Sequence, residues 1–106
     1  MRLRYTPQAI RHLDAIAEYF SEHNPEAARR VGARIREVID LLRIFPLIGH
    51  AGALSGTREL IVPSLPYIIV YRLEHREENT LVILGIYHGA QLRPGLNEPS
   101  SVFSSA

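Results

Sequence analysis

The chain opens on an alternation, Arg2-Leu3-Arg4-Tyr5, which puts two apolar side chains on one side of a short extended segment. The period then changes. Ile10, Leu13, Ile16, Ala17 and Phe20 recur at the spacing of an amphipathic helix of about four to five turns. Thr6-Pro7 marks its start, because threonine caps free amides and proline suits the first helical position, where an N–H would be unpaired anyway. Asn24-Pro25-Glu26 repeats the device. Ala28, Val31, Ile35, Val38, Leu42 and Phe45 then form the seam of a second helix. So short a connection predicts an antiparallel helical hairpin. The second helix ends at Phe45-Pro46, since proline disfavours helical geometry in the residue before it.

Residues 46–56 read as a loop, broken by Pro46, Gly49, Gly52 and Gly56. Three strands are expected next, over 57–63, 66–74 and 79–88. The middle one is apolar on both faces from Tyr67 to Tyr71, which predicts a central, covered strand. The order β-α-α-β-β-β gives an α+β fold, with the helical hairpin on one face of a small, mostly antiparallel sheet. The other face is left as a groove. One domain over 1–92 is expected. A tail over 93–106, with two prolines, a glycine and four serines, reads as flexible or ordered only by a partner.

Composition narrows the chemistry. The chain has 106 residues, no cysteine and no lysine, and its twelve basic residues are all arginine. Disulfides, thiolate sites, Schiff bases and a Walker lysine are therefore excluded. A net charge of +1 does not suit a general polyanion binder, so nucleic-acid contact would need locally clustered arginines. The first residues lack the apolar core of a signal peptide, and no apolar run reaches the roughly 20 residues of a membrane span. A cytoplasmic protein without membrane association is expected.

The strands carry polar groups at their ends: Arg58, Arg72 and His88. If all three face the groove, they make a cationic cluster with one group that titrates near neutrality. Arginine can grip a phosphate through paired N–H groups, and a histidine can move a proton during attack by an RNA 2′-hydroxyl. The plainer reading pairs Arg58 with a surface carboxylate such as Glu59 or Glu74 and ties His88 to a loop carbonyl. Tyr87 should point away from His88 unless a bulge intervenes, and reads as a core aromatic before a base-stacking one. His50, in the glycine loop, is a weaker acid–base candidate; His12, His23 and His75 read as surface positions. The loop Gly49–Thr57 lacks the lysine and strand-to-helix setting of a phosphate loop. No His-x-x-x-His or Glu-x-x-His spacing occurs, so no metal and no cofactor is expected.

Gly56-Thr57-Arg58-Glu59-Leu60, Tyr67 through Tyr71-Arg72, and Ile86-Tyr87-His88-Gly89-Ala90-Gln91 together resemble the RelE/ParE toxins of bacterial toxin–antitoxin pairs, also called plasmid stabilisation proteins. The likeness covers about residues 2 to 93. It implies a growth-arresting toxin held by a cognate antitoxin that wraps the helices and sheet. RelE-like members cleave mRNA on the ribosome; ParE-like members share the fold and inhibit DNA gyrase. On the ribonuclease side the resemblance implies Arg58 and Arg72 as phosphate-binding residues, with His88 as the acid–base group and Tyr87 beside it. Without lysines and at near-neutral charge, the chain looks more ParE-like. Gyrase is then the expected target, and Arg58, Arg72, His88, Gln91 and Arg93 the expected target- or antitoxin-binding residues. Ribosome-dependent mRNA cleavage is the alternative, and a binding module without activity the third possibility.

Overall fold

A computed structural model describes residues 1–76 and 78–89. The elements are β1 (Arg2–Tyr5), α1 (Pro7–His23), α2 (Pro25–Ile44), β2 (His50–Ala51), β3 (Arg58–Ile61), β4 (Tyr67–His75) and β5 (Asn79–His88). The α+β architecture is the one expected, with one more strand: the short β2 lies inside the segment read as loop.

Local chemistry explains the helix ends. The Thr6 hydroxyl accepts the Ala9 N–H at 3.1 Å, and Pro7 opens α1. Asn24 serves both helices. Its N–H donates to the Phe20 carbonyl at 2.6 Å, and its side chain accepts the Ala27 N–H at 3.2 Å. One residue thus closes α1 and caps α2, which makes the hairpin tight.

The sheet order is β1-β5-β4-β3-β2. β1 runs parallel to β5, and every other pairing is antiparallel. β4 is central, as its apolar run predicts. Val31, Ile35, Val38, Ile39 and Leu42 of α2 pack with Ala9 of α1 onto Tyr67, Ile69, Tyr71, Leu81, Ile83 and Ile86 of the sheet. The seam of α1 differs from the expected one. Ala9 is buried, whereas Ile10 and Ala17 are exposed, and Phe45 beyond α2 is also exposed. α1 flanks the edge of β5, where the His12 Nδ1 accepts the Ile86 N–H at 3.1 Å. The helix therefore turns the side bearing Ala9, His12 and Leu13 inward.

A bulge in β5 decides which residues share a face. Val70 opposes Gly85 and Tyr71 opposes Ile83, so Leu84 is the extra residue. Counting parity through it, as the sequence invites, fails: Val82 and Ile86 lie on opposite faces. The bulge is anchored, since the Thr6 hydroxyl also donates to the Leu84 carbonyl at 3.1 Å. No described helix is long and apolar enough to cross a membrane.

Candidate functional site

Register assigns each candidate to a face. Arg58 opposes Tyr71, and His88 opposes Tyr67; both tyrosines belong to the core under the helices. Arg58 and His88 therefore sit on the helix side of the sheet. Arg72 alternates with Tyr71 along β4 and lies on the other face. The three residues do not converge. Arg58 and His88 flank β4 on opposite sides and four residues apart, about 13 Å along the strand and about 10 Å across it, or roughly 16 Å in all.

Their partners differ too. The Arg58 Nη2 donates to the carbonyls of Leu47 at 2.9 Å and Gly49 at 2.6 Å, while its Nε is buried without a hydrogen-bond partner among the described residues. The Tyr71 hydroxyl donates to the Pro46 carbonyl at 2.8 Å and accepts the Gly49 N–H at 3.1 Å. These cross-strand neighbours together clamp the chain as it leaves α2. Gly49 is required there, because a Cβ would stand 2.5 Å from the Tyr71 hydroxyl and 2.8 Å from the Glu59 carbonyl. His88 is exposed, with its ring edge-on to Tyr67 at 5.7 Å. Gln91 and Arg93 lie outside the described residues, as does the tail.

The face away from the helices holds a different group. Arg72 donates from Nε and Nη2 to one Glu74 oxygen, at 3.0 and 2.7 Å. Arg4 reaches the same carboxylate at 3.3 Å. The hydrogen bonds from Arg72, aided by the charges of Arg4, Arg72 and Arg76, hold the Glu74 carboxyl below its usual range. Beside this cluster is an open depression of about 450 Å³, lined by Thr6, Gln8, Arg11, Leu54, Arg72, Leu84 and Tyr87 among others. Leu54 comes from the β2–β3 loop, which thus reaches over this face. The bulge turns Tyr87 toward it. The Tyr87 hydroxyl accepts from the Gln8 amide at 2.6 Å, and burial pushes its pKa up, so it remains a protonated phenol at neutral pH.

Glu59 opposes Val70 and so faces the same way as Arg72, yet it is only 4% exposed. The His50 Nε2 lies 3.6 Å from its carboxylate. Sequence reasoning treated Glu59 as a surface carboxylate and missed Gln8, Arg11 and the packed His12, none of which carries a local signal. Burial of Glu59 depends on a loop folded back over the sheet.

This geometry sits within a recognisable family. The model of the ParE toxin of type II toxin–antitoxin systems, parDE, matches residues 3–93. The chain belongs to the ParE toxin family. It is a toxin of a type II toxin–antitoxin system. "Putative toxin Y4kP" of Sinorhizobium fredii is 41% identical over 93 residues, 88% of this chain and 93% of the relative. Toxin RelE2 of Caulobacter vibrioides is 33% identical over 88 residues, 83% of this chain and 94% of the relative. A solved chromosomal ParDE system from P. aeruginosa superposes with a TM-score of 0.72 at 25% identity, covering 83% of this chain and 95% of that one. The ParE fold thus accounts for the hairpin, the sheet and the strand ends by which the sequence resembles it.

Proposed function

We propose that this ParE-family toxin arrests growth by inhibiting DNA gyrase, and that a cognate antitoxin neutralises it. The observation that carries the proposal is the separation of Arg58, Arg72 and His88. A phosphate cannot be gripped by two arginines on opposite faces of a sheet while a histidine roughly 16 Å from one of them moves its proton. Arg58 is committed to backbone carbonyls and Arg72 to Glu74. The toxin then acts by binding, with Arg72 and its neighbours as contact residues. A mostly apolar depression rimmed by arginines suits a protein target. The ParDE toxin–antitoxin system of the structural neighbour supports an antitoxin partner.

One observation favours the second reading, ribosome-dependent mRNA cleavage. His50 and the buried Glu59 form an acid–base pair on the face that carries Arg72. The two readings separate in parallel assays with antitoxin-free toxin. Gyrase supercoiling should be inhibited while mRNA in coupled translation stays intact. Cleaved mRNA with unaffected supercoiling would overturn the gyrase reading and turn attention to His50 and Glu59.

A further inference from the structure

Two subsites adjoin on the face away from the helices, and Arg72 belongs to both. In the first, Arg4 on β1 and Arg72 on β4 both oppose Val82 of the intervening β5. Their Cα atoms are thus about 10 Å apart, two strand spacings. Their guanidinium groups nevertheless meet over Val82 on one carboxylate, that of Glu74. Arg76 adds a third positive charge near it. Glu78 lies nearby but is paired with Arg2, so among the described residues Arg4, Arg72 and Arg76 outnumber the Glu74 carboxylate they surround. In the second subsite, the depression beside Arg72 has an apolar floor in Leu54, Leu84 and Tyr87, with Gln8 and Arg11 at its rim.

We propose that this face takes an acidic, apolar segment of a partner protein, whose carboxylate replaces Glu74 between Arg4 and Arg72 while its neighbouring apolar side chain enters the depression. Glu74 is then an internal stand-in that shows the chemistry of the ligand: a planar oxyanion met by a guanidinium fork. An extended segment fits the spacing. Along it, side chains two residues apart share one face about 7 Å apart, so a carboxylate and an apolar group can meet this face together. Nucleic acid is the poorer fit. The aromatic ring of this face, Tyr87, is 8% exposed and offers no surface for base stacking. The inference rests on the toxin acting by protein contact, and it names the chemistry of that contact.

Stand-in and ligand compete, and this makes the proposal testable by a gain of affinity. The probe is a short fluorescein-labelled peptide in which glutamate and leucine stand two residues apart with serine between them, so that both share one face when the peptide is extended, read by fluorescence anisotropy on the full toxin. Parallel arms use the same peptide with glutamine for glutamate, and a labelled DNA duplex. The glutamate peptide should bind at least about tenfold tighter than the glutamine peptide, as expected when one charged hydrogen-bonded contact of roughly 1.4 kcal/mol or more is lost. Arg4→Gln and Arg72→Gln should each weaken it by a similar factor. Glu74→Gln should tighten it several-fold, a gain that unfolding cannot produce. Equal binding of the two peptides, no tightening with Glu74→Gln, or tighter binding of the duplex would each overturn the proposal. Supercoiling inhibition measured on the same samples keeps the two ideas apart. Inhibition without peptide binding removes only this inference; peptide binding without inhibition removes the gyrase reading.

Discussion

Replacing Arg58 by methionine keeps much of the apolar stem and removes the guanidinium that holds the Leu47 and Gly49 carbonyls. Hydrogen bonds from a charged donor contribute about 1.5–3 kcal/mol when the acceptor has no substitute. Leu47 is exposed, so its carbonyl can be rehydrated; Gly49 is buried, so its carbonyl is the costlier loss. Against this, removing the unpartnered Nε relieves a desolvation cost of about 1 kcal/mol. The expected net loss is about 2 kcal/mol, or a fall in Tm of about 8–16 °C for a domain of this size. Arg72→Met provides the contrast. Its ion pair with Glu74 is on the surface, with the arginine side chain 39% exposed, and its loss should cost about 1 kcal/mol or less. Thermal unfolding followed by circular dichroism gives both values, and supercoiling inhibition per folded molecule gives the functional comparison. Arg58→Met should be less stable but retain its specific inhibition, and Arg72→Met should show the reverse. An Arg58→Met toxin that melts within about 2 °C of wild type and has lost all inhibition would refute the reasoning, and would make Arg58 a contact residue rather than a clamp.

Other consequences are measurable on the isolated toxin. Burial, and then the charge of Arg11, lowers the His12 pKa from 6.5, while its Nδ1 accepts the Ile86 N–H. The unfolded chain therefore takes up this proton first as pH falls, so the contribution is complete above about 6.5 and declines below it. Tm recorded across that range should fall in acid, and less steeply in His12→Gln; identical slopes would exclude His12 as the cause. Asn24→Ala removes a cap and should cost about 1 kcal/mol in urea denaturation, and an unchanged midpoint would count against its double role. Ser64 holds a φ of +68° in the turn where the Leu65 N–H meets the Val62 carbonyl. Ser64→Gly should relieve strain by about 0.5–1 kcal/mol and raise Tm by a few degrees, whereas a lower Tm would mean that the serine is not strained.

Features that depend on near neighbours are legible in the chain alone. Thr6-Pro7 and Asn24-Pro25 specify the helix starts because a cap acts within three residues. The apolar run Leu81–Leu84, continued by Ile86 and Tyr87, marks β5 with the boundaries observed, and the doubly apolar Tyr67–Tyr71 marks the central strand. The strand-end residues that resembled the RelE/ParE toxins sufficed for the family. The tertiary structure decided what those residues face. One inserted residue, Leu84, reverses strand parity, and nothing in its identity announces this, because a bulge is stabilised by a distant partner, Thr6. Arg58 became a clamp because the chain leaving α2 passes beside β3, and Glu59 became buried because β2 and its loop return to the sheet. His12 read as a surface residue until α1 was laid along the edge of β5. Sequence periodicity reports the geometry of one element at a time, whereas a site is made where elements distant in sequence meet.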